Sequence, residues 1–215
     1  MTAATGATPL GFTLRVPESW VEFDVWRATR TGDLGRLVDA RIAQAPELAP
    51  WRGTLVKLLR EVADNAERQG ALFCAAMADP VEDAGMLAAS MMVLQTDGAP
   101  DAADNTVEAI AGQVSAVAAA DGSPYWRRVE IVEVPAGRAV RVYGVEAAQV
   151  GARVPIDCVV MQTLIPVPAG QGVLDVVLTS PQVQIAESML ELFDAISATL
   201  AWSQSPVGDG RVGSG

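Results

Sequence analysis

The chain has 215 residues, of which 50% are hydrophobic and 19% are charged, and this balance is typical of a folded globular protein. It carries a formal net charge of −11 and contains no histidine. The missing histidine excludes His-based catalytic triads and His-ligated metal sites, and the acidic charge disfavours nucleic acid and anionic membranes as partners, because both bind basic surfaces.

The N-terminal sequence leads us to expect no signal peptide. The N-terminus lacks the basic and apolar segments of a signal peptide, and no apolar stretch approaches the roughly 20 residues of a membrane-spanning helix. We therefore expect a cytoplasmic protein. Residues 1–9 and 203–215 are small and polar, so we expect a flexible leader and a disordered tail around a single domain at 10–202. Cys74 and Cys158 lie in apolar runs, and we expect both thiols to be reduced and buried.

The first part of the chain predicts strand structure followed by two helices. Residues 10–16 alternate between apolar and polar types, as in a half-buried strand, and 19–26 is a second short strand or an ordered turn. Apolar residues then recur at helical spacing over about 33–45 and 51–69, with an interruption at Pro46.

Two strands and a third helix come next. Gly70 is suited to the left-handed conformation that ends a helix. The segments 71–80 and 85–96 are apolar on both faces, which indicates central strands of a covered sheet. Asn105 is expected to cap the third helix, with Glu108 completing a capping box.

The second half of the chain predicts two antiparallel strand pairs. The segments 129–134 and 138–146 flank the turn at 135–137, where proline and glycine favour a tight reversal. A long strand at 154–168 and a second at 173–179 are joined by a glycine-rich turn, so we expect these strands to be antiparallel as well.

The last element is predicted to be an amphipathic helix. Ser180 is the expected N-cap and Pro181 the first helical residue, with an apolar stripe that continues to Trp202. In the preceding strand Leu174 and Val176 alternate with Asp175. The apolar side is expected to face inward toward the helix, so we expect Asp175 on the opposite, outward side. Together these elements predict an α+β fold, with a mostly antiparallel sheet of about six to seven strands and helices packed on it.

Three segments carry a family resemblance: "FTLRVPESW", "VPAGRAVRV" and "LIPVPAGQGVLDVVLTSPQ". With these motifs the chain resembles a group of uncharacterised actinobacterial proteins that are similar to the Mog1p/PsbP-like α/β/α sandwich. The resemblance covers most of residues 10–202, and its motifs are structural. It implies a sandwich fold that acts through a protein-binding surface, and it transfers no functional residue to this chain.

No motif for a cofactor or a metal stands out. There is no P-loop, and the GxGxxG pattern at 208–213 has no room for the helix that a dinucleotide site requires. The acidic turn with Asp79, Glu82 and Asp83 lacks the spacing of an EF-hand. We therefore expect no cofactor and no metal site.

Two sets of residues are candidates for binding. Tyr125, Trp126, Arg127 and Arg128 combine residue types that are enriched in protein interfaces, although a strand entry with solvated arginines is the commoner interpretation. A second set of buried-strand methionines is able to line an adaptable apolar cavity or simply to fill the core, and consists of Met91, Met92 and Met161.

Three functional hypotheses follow from the sequence. The leading hypothesis is a non-enzymatic protein-binding or accessory domain with a protein partner of unknown identity. The second is a small apolar-ligand-binding domain with a cavity at the three methionines. The third is a histidine-free enzyme that uses carboxylates, and it requires two acidic side chains in one cleft.

Overall fold

A computed structural model describes residues 11–23, 33–81, 85–99, 101–120, 126–148, 155–168 and 172–203. The helices within these ranges are α1 (Asp33–Gln44), α2 (Arg52–Arg68), α3 (Val107–Ala120) and α4 (Ala186–Ser197). The strands are β1 (Gly11–Thr13), β2 (Val21–Phe23), β3 (Phe73–Val81), β4 (Gly85–Thr96), β5 (Arg127–Val134), β6 (Gly137–Ala148), β7 (Ile156–Pro166), β8 (Val173–Ser180) and β9 (Ala201–Ser203).

A seven-stranded antiparallel sheet forms the centre of the fold. Its strand order is β2-β3-β4-β8-β7-β6-β5, and β1 pairs with β9 in a separate two-stranded sheet. Every neighbouring pair of strands is antiparallel. The α+β class and the antiparallel sheet predicted from the sequence are therefore confirmed, and the hairpin β5–β6 forms at the predicted turn.

One side of the sheet, which we call the α4 face, carries the largest apolar core. Met91, Leu178 and Met161 lie side by side across β4, β8 and β7 on this face. Phe193 of α4 is fully buried against this core. Since side chains alternate along each strand, the residues between these core positions point to the other side.

The other side, which we call the α2/α3 face, is covered by two groups of helices. Helices α1 and α2 pack over β3 and β4, where Cys74 and Met92 belong to their apolar cluster. Helix α3 packs over β5 and β6, where Val140 and Val142 belong to a separate cluster. The strand registers place Met92 and Val142 on the same side of the sheet.

Helix α2 ends as the sequence predicts. Gly70 has a φ of +69°, and its amide donates to the carbonyl of Glu67. The amide of Ala71 donates to the carbonyl of Ala66 at 2.9 Å. These bonds satisfy carbonyl groups at the helix end, and the left-handed backbone at Gly70 favours a residue without a Cβ.

The predicted capping box between Asn105 and Glu108 does not form. The Asn105 side chain instead accepts a hydrogen bond from the amide of Ala99 at 2.7 Å and donates to the Ala99 carbonyl at 2.9 Å. The first turn of α3 is satisfied by Thr106, whose hydroxyl accepts from the amide of Ala109 at 3.3 Å. The expected cap residue therefore holds a loop, and its neighbour takes the capping role.

The predicted cap at Ser180 is also wrong, because its hydroxyl holds the neighbouring strand. Ser180 is fully buried and donates to the carbonyl of Ala88 at 2.9 Å, and the side-chain oxygen of Gln182 accepts from the Ala88 amide at 3.2 Å. Helix α4 consequently begins at Ala186 rather than at Pro181, after a short 3₁₀ turn.

The C-terminal helix is shorter than predicted. It ends at Ser197, and β9 replaces the expected continuation of the helix to Trp202. The hydroxyl of Thr199 accepts a hydrogen bond from the amide of Arg15 at 2.8 Å, and Trp202 lies opposite Phe12 in the β1–β9 pair. Pairing with the N-terminal strand thus overrides the helical pattern at this point.

Some predicted segments lie outside the described residues. They include the leader at 1–9, Leu10 of the first predicted strand, positions 24–26 of the second predicted strand, Glu82 and Asp83 of the acidic turn, and residues 204–215 of the tail. Ser203, which the prediction assigned to the tail, is the last residue of β9.

The bonds of Gln182 provide a test of this strand connection. Its side-chain nitrogen also donates to the carbonyl of Met86 at 2.9 Å, and Ser180 donates to its oxygen at 2.7 Å. We expect Gln182→Ala to lower the free energy of unfolding by about 1–3 kcal/mol, because partly buried groups of β4 lose their partner. Urea denaturation measures this loss, with Gln184→Ala as a control at an exposed position two residues away. Equal stability of the two variants would contradict this role.

Candidate functional site

The predicted patch at residues 125–128 is divided between the two sides of the sheet. Tyr125 lies outside the described residues. Arg127 points to the α2/α3 face, where its guanidinium forms an ion pair with Glu146. Trp126 and Arg128 lie on the opposite side, since successive strand residues alternate. The four predicted residues therefore do not form one surface.

Trp126 and Arg128 instead combine with Tyr143 of β6 on the α4 face, and we call these three residues the edge cluster. The Trp126 and Tyr143 rings are 6.4 Å apart in an edge-to-face arrangement. The Arg128 guanidinium lies 5.8 Å from the centre of the Trp126 ring, within the range of a cation–π interaction. Trp126 remains 45% exposed, so a large aromatic surface is available to a partner.

Gly144 allows the backbone of Trp126 to approach β6 closely. A Cβ atom at Gly144 would lie 2.1 Å from the Trp126 carbonyl oxygen. The same oxygen accepts a hydrogen bond from the amide of Val145 at 3.1 Å. Sequence reasoning missed this residue, although an isolated glycine within a strand pattern often marks a close backbone approach.

The outer edge of β5 pairs with no strand among the described residues. The hydrogen bond from the Val145 amide to the Trp126 carbonyl shows that the backbone of Trp126 faces β6. Successive residues of an antiparallel strand direct their N–H and C=O groups alternately to one side and the other, so this bond determines the direction for every residue of β5. Arg128 and Glu130 therefore bond inward to β6. Val129 and Ile131 direct their backbone N–H and C=O groups to the open edge.

The three methionines proposed to line a cavity lie on two sides of the sheet. Met91 and Met161 are buried in the core of the α4 face. Met92 is buried under α2 on the other side, where its sulfur accepts a hydrogen bond from the Asn65 side chain at 3.8 Å. The sheet itself separates Met92 from the other two, so the structure does not bring the three together.

A shallow apolar groove lies elsewhere, between α1, α2 and β3. It holds about 350 Å³ of space, counting the part open to solvent. Its walls include Val38, Leu55 and Ala76. Arg41 also lines the groove, and its guanidinium pairs with Asp79 at 2.7 Å. None of the three methionines lines this groove.

A buried carboxylate is the main electrostatic feature that the sequence did not predict. Asp175 of β8 is only 9% exposed, although its alternation with Leu174 and Val176 indicated an outward position. Its Oδ1 atom has no hydrogen-bond partner among the described residues, and its Oδ2 atom lies 3.5 Å from the Gln162 side-chain nitrogen. Desolvation by burial raises the pKa of Asp175 to about 7. The central place of β8 in a sheet covered on both sides buries this residue.

Asp175 does not by itself form a catalytic pair. The side chain that contacts it is an amide, and the residues opposite it on β4 and β7 are Leu94 and Leu164. Glycosidase-type carboxylate catalysis requires a second acid, and no acidic residue lies opposite Asp175 on β4 or β7. Asp175 therefore affects the stability of the folded chain and the way that this stability changes with pH.

Both cysteines are buried and free, as the sequence predicts. Burial raises the pKa of the Cys74 thiol to about 12. Burial, with the nearby charges of Asp157 and Glu146, raises the pKa of the Cys158 thiol to about 11. Both thiols are consequently protonated and unreactive at neutral pH.

The described ranges hold neither a cluster of metal-ligating side chains nor a membrane-spanning helix. No group of three or more Cys, Asp or Glu side chains there is arranged to hold a metal ion. None of the helices in this part of the chain combines the length and apolarity needed to cross a bilayer.

Comparison with known proteins gives a distant structural likeness. No protein-family model matches the chain, and no curated protein matches its sequence. The crystal structure of LpqN, which is involved in cell envelope biogenesis in Mycobacterium tuberculosis, is similar with a TM-score of 0.47 and 10% sequence identity. The likeness covers 93% of this chain and 87% of that chain. At this level it assigns no function to the protein.

The pKa of Asp175 predicts an unusual pH dependence of stability. The folded state keeps the proton up to about pH 7, whereas the unfolded state loses it near the ordinary aspartate pKa of 3.8. Stability therefore falls as the pH rises between these values, by on the order of 4 kcal/mol in total. We expect Asp175→Asn to remove this loss, so that the variant is more stable than the natural chain at pH 8 and similar to it at pH 3.5.

Urea denaturation between pH 3.5 and pH 8 measures this difference. Glu191→Gln provides the control, because it makes the same chemical change at an exposed position of α4. A difference between Asp175→Asn and the natural chain that stays constant with pH would contradict the assignment.

Proposed function

We propose that the chain is a non-enzymatic protein-binding domain that engages its partner along the outer edge of β5. The observation that carries this proposal is the position of the exposed Trp126 ring directly beside an open strand edge. The partner supplies an extended segment that adds to the sheet, and Trp126 and Arg128 contact its side chains.

The residue types of the edge cluster support this proposal. Tryptophan, tyrosine and arginine are the residues that most often dominate the binding energy of protein interfaces. Tyr143 lies behind the Trp126 ring and Arg128 lies over it, so the aromatic anchor is held in place before binding. A fixed side chain loses less conformational entropy when a partner binds.

The backbone supplies the rest of the binding energy. An open strand edge presents unpaired N–H and C=O groups that are able to pair with an incoming strand. Val129 and Ile131 provide these groups on β5, and Ile131 adds an apolar side chain that is 43% exposed. The resemblance to the Mog1p/PsbP-like sandwich agrees with action through a protein surface, and it stays a prediction.

A small apolar ligand in the groove between α1, α2 and β3 is a second candidate function. Its support is the apolar lining of this groove, which includes Val38, Leu55 and Ala76. We expect Ala78→Trp, which places a large ring at the groove wall, to abolish binding of a fluorescent fatty-acid analogue. No binding of this probe by the natural chain would exclude the candidate.

A pair of tryptophan variants tests the protein-binding function. Trp126 and Trp51 are 45% and 43% exposed, and Trp51 lies at the junction of α1 and α2, away from β5. We expect Trp126→Ala to weaken partner binding by roughly 30-fold, because an interface tryptophan contributes about 2 kcal/mol or more. We expect Trp51→Ala to leave binding unchanged.

The measurement is quantitative recovery of proteins bound to the tagged full chain in its native cells, with an untagged copy of the chain also present. Val129→Pro is a third variant, since proline removes an amide that faces the open edge and is tolerated at such positions. Recovery that falls with Trp126→Ala and Val129→Pro but not with Trp51→Ala supports the function. Equal recovery by all variants, or none by the natural chain, would contradict it.

A further inference from the structure

We propose that the partner strand is β5 of a second copy of this chain, paired antiparallel around a two-fold axis at Val129. This inference rests on the proposed function of the β5 edge and names its occupant. The resulting dimer joins two seven-stranded sheets into one continuous sheet.

The backbone of β5 fits this arrangement. Val129 directs its N–H and C=O to the open edge, so two copies of Val129 are able to exchange both hydrogen bonds across the axis. Arg127 and Ile131 also direct their backbone groups outward, and in this register each lies opposite the other. No described residue of β5 departs from the regular register with β6, so the edge carries no β-bulge over this range.

Charge complementarity selects this register on the α4 face. With Val129 at the axis, Arg128 of each copy lies directly opposite Glu130 of the other, which forms an ion pair on each side of the axis. Neither residue has an oppositely charged partner within 4.0 Å among the described residues. Opposite charges directly across an antiparallel pair stabilise it, and like charges destabilise it.

Apolar side chains complete the match. The edge-cluster residue Trp126 lies opposite Val132 of the other copy, and pairs of aromatic and β-branched residues are favourable between strands. On the α2/α3 face the two Val129 side chains meet at the axis. The exposed Ile131 lies opposite Arg127, whose charge is already paired with Glu146.

Neighbouring registers lack this match. An axis at Glu130 places two carboxylates directly opposite each other, and the charges that it pairs are Arg127 and Glu133, which already contact Glu146 and Arg138. An axis at Ile131 places Glu130 opposite Val132 and Val129 opposite Glu133, so that no ion pair forms. The register centred on Val129 is the one of these three that places Arg128 opposite Glu130.

Helix α3 presents a suitable surface beside this edge. It packs over β5 and β6, and the helix carries no charged residue after Glu108. Val117 of this helix is 65% exposed. A helix that is apolar on most of its surface is typical of a buried environment, and a second copy on the same side of the sheet provides such cover.

Cysteine cross-linking of the full chain tests the register. We expect Val129→Cys to form a disulfide-linked dimer under mild oxidation, because directly paired Cα atoms are about 5.5 Å apart. We expect Ile131→Cys to remain unlinked, because its two copies are offset by about 13 Å along the strand. The buried Cys74 and Cys158 give a low background, which the natural chain measures.

Charge exchange tests the same pairing without a covalent bond. We expect sedimentation equilibrium of the natural chain to show a dimer. We expect Arg128→Glu to raise the dissociation constant of this dimer about tenfold or more, because each new carboxylate lies opposite Glu130 of the other copy. Glu130→Arg is expected to weaken the dimer in the same way. The double variant with both changes restores the pairing and is expected to recover the natural dissociation constant.

Each result decides the proposal. Cross-linking of Val129→Cys alone and rescue by the double variant support it. Cross-linking of Ile131→Cys alone would overturn it, and so would a dimer whose dissociation constant is unaffected by the charge changes. A natural chain that stays monomeric over a 100-fold range of concentration would also overturn it. The natural chain is also able to be monomeric and yet bind a different protein, with that binding lost in Trp126→Ala. This result would overturn self-pairing and leave the protein-binding function intact.

Discussion

The hydrogen bond between the Val145 amide and the Trp126 carbonyl fixes how β5 enters the sheet, and the proposed interaction surface depends on it. It sets which backbone groups of β5 face β6 and which face the open edge. It also requires Gly144, because a Cβ there would collide with the Trp126 oxygen. The exposed ring of Trp126 stands beside the edge because the backbone is held at this point.

The pleat of the sheet explains why the two sides of the molecule differ. On the α4 face one helix covers a continuous core, whereas the α2/α3 face is covered by α1 and α2 at one end and α3 at the other. Asp175 lies on the α2/α3 face between these covers, and it is buried with no charged partner among the described residues. Its buried carboxyl lowers the stability of the sheet at its centre as the pH rises, whereas the proposed binding residues lie at the edge.

The sequence predicted the order of the elements from α1 to α4, the antiparallel sheet, the β5–β6 hairpin and the helix end at Gly70, because these features depend on local patterns. It did not predict that Ser180 bonds to β4 or that Asp175 is buried, since both depend on strands far apart in the chain. The predicted patch included Trp126 and Arg128, but it grouped them with Arg127, whose side chain faces the other side of the sheet. Tyr143 and Gly144 join the site only through the register of β6.

Amide hydrogen exchange along β5, followed by NMR at increasing protein concentration, directly tests which backbone groups of this strand face the open edge. We expect the amides of Arg128, Glu130 and Val132 to be protected at every concentration, because they bond to β6. The amides of Val129 and Ile131 exchange rapidly at low concentration and become protected as copies pair. Protection of Val129 and Ile131 in the dilute monomer, with rapid exchange at Arg128 and Glu130, would contradict the assigned direction of the edge.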